Sequence, residues 1–267
     1  MTAKGGGKME IDINCDMGES YGPYKLGMDE EVMRYITSAN VACGWHGGDP
    51  MVMERTVQLA KENNVAVGAH PGYPDLMGFG RRFMECSEKE IRNYVIYQIG
   101  ALWAFCRAAG VRLTHVKAHG ALYLRAVEDE KVARAIAEAV ATVDSGLIYV
   151  ALAGEKGKRM RECAREAGLR VACEAFPDRA YTREGNLLSR KEKGAVIHDP
   201  SLVAQRALLM AKEKKVVAAD GTLISLEAQT LCVHGDNPAA VEAVRAIKET
   251  LEREGVRVKP MALSFQI

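Results

Sequence analysis

The stretch Ser38-Ala-Asn-Val-Ala-Cys-Gly-Trp-His-Gly-Gly-Asp-Pro50 decides how the rest of the chain is read. It opens as a strand of small, mostly apolar residues, breaks at Gly44, and presents His46 among glycines. It closes on Asp49-Pro50, a helix start with aspartate at the N-cap and proline at the first helical position. Strand, glycine loop with a titratable side chain, capped helix: this is one βα unit with a chemically loaded loop.

Similar junctions recur on both sides of it. Glu10-Ile-Asp-Ile-Asn14 alternates polar and apolar, so it reads as a first strand with Ile11 and Ile13 on one face and Asp12 and Asn14 on the other. In a barrel that second face points inward, where a carboxylate needs a partner or a task. The strand runs into a loop carrying Asp16 and Glu19, and a helix is expected over about 29–37.

Downstream, a helix fits 51–63, and a buried strand over 65–69 ends on His70-Pro-Gly-Tyr-Pro-Asp75. Ser87-Glu-Lys-Glu90 matches a capping box, opening a long helix to about Ala109 that Gly110 stops. Leu113 to Lys117 is the next strand, running into the loop Ala118-His-Gly-Ala-Leu-Tyr123. A helix over about 128–142, a strand over 147–152, a helix from Gly154 to Gly168 and a strand over 170–175 follow. The loop 176–199 carries Asp178, Arg179, Tyr181, Arg183 and Arg190, and loops of that length in compact domains are usually functional or disordered. Asp199-Pro200 starts another helix, and strand pieces flank Asp220-Gly221. Thr230 to Val233 then ends on His234-Gly-Asp-Asn-Pro238, before a final helix to Glu254.

Strands alternate with helices about seven times, and no linker or composition shift divides the chain. This predicts an α/β fold, a single TIM-like (β/α) barrel with about seven strands over 9–267 behind a disordered lead-in at 1–8. A doubly wound open sheet is the runner-up. Lys and Arg total 36 against 35 for Asp and Glu, which gives no electrostatic argument for nucleic acid or an anionic membrane as partner. No run approaches the roughly 18 apolar residues of a spanning helix, and no apolar segment follows the first lysines, as a secretory signal requires. Seven scattered cysteines without a C-x-x-C pair fit reduced thiols in the cytoplasm. Cys43, beside the opening loop, is better explained as a small buried thiol than as a nucleophile.

Barrel enzymes gather their catalytic groups on the loops after the strands' C-terminal ends. Four of the six histidines, His46, His70, His119 and His234, fall there, each beside glycine or proline; His115 and His198 look ordinary. With them come the carboxylates Asp12, Asp16, Glu19, Asp49, Asp75, Asp178 and Asp236 and the cations Lys117 and Arg179. This mixture suits acid/base hydrolysis or phosphoryl chemistry. Capping alone accounts for Asp49, and a turn with Pro74 for Asp75. Lys117 sits on a strand that should be buried, so it needs either a carboxylate partner such as Asp12 or a function. Phosphate-loop, dinucleotide, G-x-S-x-G and H-E-x-x-H motifs are absent; Gly154-Glu-Lys-Gly-Lys158 has the wrong spacing.

Taken together, Asp12-Ile-Asn-Cys-Asp-Met-Gly-Glu19, Ser38 through Asp49, Gly68-Ala-His-Pro-Gly-Tyr-Pro-Asp75, Gly80-Arg-Arg82, Val116-Lys-Ala-His-Gly-Ala-Leu-Tyr123, Asp178-Arg-Ala-Tyr181 and Cys232-Val-His-Gly-Asp236 resemble the LamB/YcsF family. The set spans about residues 9–258; Gly47, Ala118, Leu124 and Pro177 depart from the family's usual residues.

The resemblance implies a variant TIM barrel like those of glycoside hydrolases and polysaccharide deacetylases. It implies ATP-dependent opening of 5-oxo-L-proline to L-glutamate, with ATP, accompanied by Mg2+, as co-substrate and no other cofactor. It also implies two partners, subunits B and C of a 5-oxoprolinase. On that reading Asp16, His46 or His70 is the base or proton shuttle, and Lys117 and His119 stabilise the oxyanion or phosphate. Arg179 holds the substrate carboxylate, and Asp12, Asn14, Glu19, Asp178, Tyr181, His234 and Asp236 complete the substrate site. Two alternatives stay open: a metal-dependent deacetylase-like hydrolase with a divalent ion on one carboxylate and His46, His70 or His119, and a non-catalytic subunit that binds 5-oxoproline.

Overall fold

The computed structural model describes residues 9–189, 191–235 and 237–265. The expected lead-in at 1–8, Arg190 and Asp236 lie outside the described residues. Six parallel strands follow one another in chain order: β1 (Glu10–Met17), β2 (Ser38–Ala42), β3 (Ala66–His70), β4 (Leu113–Val116), β5 (Ile148–Leu152) and β6 (Arg170–Ala175). The chain then leaves the sheet for an antiparallel hairpin, β7 (Lys215–Val217) with β8 (Leu223–Ser225). It returns as β9 (Thr230–Val233), which pairs with β6 on one side and β1 on the other and closes a seven-stranded parallel barrel. A short β10 (Arg257–Val258) pairs outside this ring with Glu10 and Ile11.

The helices between the strands form the outer layer, and their starts follow from local chemistry. Asp49 caps α2 (Pro50–Glu62) by accepting from the N–H groups of Met51 and Val52, and Ser87 with Glu90 forms both halves of the capping box on α3 (Glu88–Ala109). Gly110 ends α3 at φ +68°, a left-handed conformation that glycine adopts without steric cost.

Two helices differ from the sequence reading. The first, α1, covers only Asp29–Val32, because the Thr37 hydroxyl donates to Asp12 and the Thr37 N–H to the Ile13 carbonyl, drawing 33–37 onto β1. The segment read as a loop after β4 instead holds a helix, α4 (Gly120–Glu128), ahead of α5 (Glu130–Val143). His119 at its N-cap makes no side-chain cap bond; the Ala121 N–H is satisfied by the Gly80 carbonyl, a tertiary contact invisible to local pattern. The outer layer continues with α6 (Lys158–Glu166), α7 (Pro200–Glu213) and α8 (Pro238–Arg253). No described helix is long and apolar enough to cross a membrane.

The barrel interior is apolar on one side and hydrogen-bonded on the other. On the apolar side Ile148, Val150 and Ala172 pack against Met261 of α9 (Met261–Ser264). On the polar side the inward face of β1 forms a column. Asp12 accepts from the hydroxyls of Thr37 (2.8 Å), Ser38 (2.6 Å) and Thr230 and from the Met261 N–H (3.1 Å). Burial pushes its carboxyl above the usual range, and those donors pull the other way. Above it Asn14 donates to Thr230 Oγ1 (2.6 Å) and accepts from Asn40 Nδ2 (2.7 Å), while His115 Nε2 lies 3.0 Å from Asn40 Oδ1.

His115 leaves no room beside it: a Cβ on Gly68 of β3 would fall 2.2 Å from its ring. Gly68→Ala is therefore expected to lower the unfolding free energy by about 1–3 kcal/mol through overpacking, read as the shift of a urea midpoint.

Candidate active site

The top of the polar column opens into a cavity of about 240 Å3 at the C-terminal mouth of the barrel. Its walls include Asp16 from the end of β1, Glu19 from the next loop, His70 from the end of β3, Lys117 and His119 beyond β4, Glu174 from β6 and His234 beyond β9. Parallel strands deliver these groups to one end because each βα loop leaves on the same side. A larger surface cleft of about 900 Å3, lined by Lys158, Arg161 and Arg183 among others, contains none of these residues. Its charged side chains are exposed except half-buried Arg161.

Lys117 is the centre of the charge arrangement. Its Nζ lies 2.9 Å from Asp16 Oδ1 and 2.8 Å from Glu174 Oε1, with longer contacts to Cys232 Sγ (3.2 Å) and Asn14 Oδ1 (3.4 Å). The ammonium has three hydrogens. Two are committed to the carboxylates, and the third, divided between the long contacts, is the one a ligand would take. Burial disfavours the cation, but Asp16 and Glu174 outweigh it and hold Lys117 well above the usual lysine range. For Asp16, burial is likewise overcome by His70 and Lys117, and its carboxyl is held well below the usual range. Tyr123 donates to the other oxygen of Glu174 at 3.2 Å.

Beside this pair sits a histidine cluster. His70 Nε2 lies 3.3 Å from Asp16 Oδ2, and its Nδ1 lies 2.7 Å from the Lys117 carbonyl. His119 Nδ1 is 3.0 Å from His70 Nε2, and its Nε2 is 2.8 Å from the Phe79 carbonyl. His46 stacks on His119 with ring centroids 3.6 Å apart and planes 3° from parallel, and its Nε2 lies 3.1 Å from Glu19 Oε1. All three imidazoles are buried. Burial, then the neighbouring His46 and His70, pushes His119 down to about 2, and burial, then His70, holds His46 well below the usual imidazole range. Both are neutral at physiological pH.

The expected residues separate into those at the mouth and those elsewhere. Asp16, His46, His70, Lys117 and His119 come together with Glu19. Asp12 and Asn14 do not line the cavity: they lie below it in the barrel interior, where their bonds tie β1 to β2 and β9. Lys117 pairs with Asp16 and Glu174, not with Asp12. Arg179 lines the cavity, yet its Nε donates to the Ala195 carbonyl and Nη2 to the Leu188 carbonyl, pinning the long loop. Tyr181, in the same loop, is buried, its hydroxyl accepting from the Phe176 N–H. His234 is on the rim with Nδ1 2.6 Å from Asp178 Oδ2. Asp236 lies outside the described residues. Asp49 caps α2, and Asp75 accepts from the Gly78 N–H and the Arg82 guanidinium, so both have structural employment.

Glu174 escaped the sequence reading. The available signal was a lone carboxylate inside the strand Arg170-Val-Ala-Cys-Glu-Ala175, the counterpart of the lysine that drew attention beside β4. His115, read as ordinary, lies in the interior column and not in the cavity.

The chain is 58% identical over 253 residues to a protein from Pyrococcus furiosus named as the A subunit of 5-oxoprolinase, covering 95% of this chain and 98% of the relative. A protein of the same name from Alkaliphilus metalliredigens is 57% identical, covering 94% of this chain and 97% of the relative. The crystal structure of a lactam utilization protein from Thermus thermophilus superposes with a TM-score of 0.90 at 52% identity, covering 94% of this chain and 99% of that one. Residues 11–265 match the LamB/YcsF family, and the chain belongs to that family.

Proposed function

We propose that this chain is the lactam-binding and ring-opening component of an ATP-dependent 5-oxoprolinase, acting in the cytoplasm with subunits B and C. The observation that carries the reading is the mouth cavity: about 240 Å3, with a buried lysine held between two carboxylates on its wall. That volume suits a five-membered lactam and falls below the ~300–1,000 Å3 of clefts that hold drug-sized ligands. Support comes from the names of the relatives, which speak of 5-oxoprolinase and of lactam utilization.

The chemistry asks for what these residues offer. A lactam is an unreactive amide, and phosphoryl transfer from ATP to its oxygen makes the ring carbon electrophilic. Water then adds to that carbon, the ring C–N bond breaks with a proton passing to nitrogen, and γ-glutamyl phosphate results. A second water releases phosphate and leaves glutamate, so one ATP and two waters are consumed. Lys117 pairs with the negative phosphoryl oxygens carried by the lactam oxygen, while the C=N electron pair passes to the ring nitrogen as the carbon becomes tetrahedral. Asp16, touching both Lys117 and His70, orients that pair and takes the proton from water, directly or through His70. The substrate carboxylate faces the cations of the wall, Arg179 and exposed Arg81. The cavity has no space for a whole nucleotide beside the lactam, so ATP with its Mg2+ enters from a surface that a partner protein completes.

Calorimetric titration of the lone chain tests this. Binding of 5-oxo-L-proline and none of ATP is expected, with ATP-dependent glutamate formation only after subunits B and C are added. No lactam binding and no glutamate from the reconstituted mixture would overturn the reading.

A further inference from the structure

The three imidazoles and Glu19 place one ligand atom each within 4.8 Å of one another. What belongs between them follows from counting hydrogens. A backbone carbonyl only accepts, so His70 Nδ1, 2.7 Å from the Lys117 oxygen, carries a hydrogen. For the same reason His119 Nε2, 2.8 Å from the Phe79 oxygen, carries one. His119 therefore offers its lone pair at Nδ1, and His70 would offer its own at Nε2 once that nitrogen is deprotonated, as a metal ligand's must be. Those two atoms lie 3.0 Å apart. Nitrogens that close need a positive charge between them, either a proton on His70 Nε2, which Asp16 Oδ2 at 3.3 Å also faces, or a metal ion.

We infer that this charge is a divalent transition-metal ion of the zinc class, bound by His70 Nε2, His119 Nδ1 and Glu19 Oε1. Two of the three separations suit it, 3.0 Å between the nitrogens and 3.5 Å from His119 Nδ1 to Glu19 Oε1, against about 3.3 Å for the edge of a tetrahedron with bonds of 2.0–2.1 Å; the third, from His70 to Glu19, is wider but within 4.8 Å. The orientation of the rings also suits it. A metal-binding histidine usually donates its other N–H to a carbonyl or carboxylate, which fixes the tautomer, and both His70 and His119 do so. Phe79, which supplies one of those carbonyls, has a left-handed φ of +54°, a conformation a bulky residue keeps only where its surroundings impose it.

His46 is not a ligand. Its ring lies parallel to that of His119, so lone pairs in the two planes cannot meet at one ion; instead Nε2–H donates to Glu19 Oε1 and aims that carboxylate. Two imidazoles and one carboxylate leave a fourth position open, the arrangement of hydrolytic zinc sites, in which the ion activates water or polarises a carbonyl. Asp16 Oδ2, 3.3 Å from His70 Nε2, is the nearby oxygen that a water there would meet.

The inference stands on donor geometry and goes beyond the lactam reading. Its test needs no turnover, so the two can fail separately. The full chain, stripped with a chelator, is titrated with Zn2+ by calorimetry and with Co2+ by visible absorption. One equivalent is expected to bind, with the intense Co2+ bands of a four- or five-coordinate site. His119→Ala and His70→Ala are each expected to weaken binding at least about 100-fold, while His198→Ala, at an exposed histidine, leaves it unchanged. X-ray absorption of the wild-type zinc form, which needs no variant to fold, is expected to find two imidazoles on the ion. Binding that is absent, or equally strong in His119→Ala and His198→Ala, or a zinc spectrum without imidazole, would mean that the gap holds only a shared proton and would overturn the assignment.

Discussion

Lys117→Met is expected to lower ATP-dependent glutamate formation about a thousandfold, some 4 kcal/mol of barrier, in the complex reconstituted with subunits B and C. Methionine keeps length and apolar volume and removes the charge proposed above to act on the phosphorylated lactam. It also leaves Asp16 and Glu174 side by side without their shared cation. Removing one partner of a buried ion pair costs about 3–5 kcal/mol, so thermal unfolding of the same variant should move down as well. The two effects are separable by assaying well below the melting transition. A folded Lys117→Met enzyme with turnover within tenfold of wild type would remove Lys117 from the chemistry.

Asp16→Asn should be almost as damaging to the rate and far gentler on the fold. The amide oxygen can still accept from Lys117 and Asn40, which donate to Asp16 Oδ1 at 2.9 Å each. What disappears is the charge beside His70 and the capacity to take a proton, worth about 10²–10⁴ in rate for a general base. Asp12→Asn, four residues earlier on the same strand, is the contrasting case. It disturbs a carboxylate that three hydroxyls and a backbone N–H surround below the cavity, so stability and not turnover should suffer. Equal losses of rate in the two variants, with unchanged melting, would contradict this division of β1 into a structural base and a reactive tip.

That division marks the limit of what the sequence discloses. Alternation along β1 puts Asp12, Asn14 and Asp16 on one face, and nothing local distinguishes three inward carboxyl and amide groups by depth. Depth is set by partners on β2 and β9, far away in the chain. The cap residues Asp49, Ser87 and Asp199 were legible because each satisfies N–H groups two or three residues on. The helix after His119 was not, since a tertiary bond to Gly80 supports its start. Lysine at the end of β4 stood out against an apolar strand; its partner Glu174 passed as one more polar residue in a strand of mixed burial. Arg179 reads as a substrate clamp because a guanidinium in a long loop invites it; the fold adds a second use, since its Nε and Nη2 also donate to the Ala195 and Leu188 carbonyls. Its neighbour Arg206, donating to the carbonyls of Pro177, Arg179 and Val217, shows the other use of buried arginine, to satisfy a loop's backbone.

The closure of the ring between β1 and β9 has a consequence for how the molecule is made. Asn14 meets Thr230 across 216 residues of chain, so β1 leaves the ribosome long before the strand that closes the ring against it. At synthesis rates of about 5–20 residues per second, β1 waits on the order of 10–40 s with one edge bare. Through that interval Asp12 and Asn14 lack the hydroxyl that will quench them, and nothing resembling the finished mouth exists on the nascent chain. Contacts so remote in sequence fold slowly and leave strand edges open to other chains. Until the ninth strand arrives, that edge of β1 has no β9 to pair with.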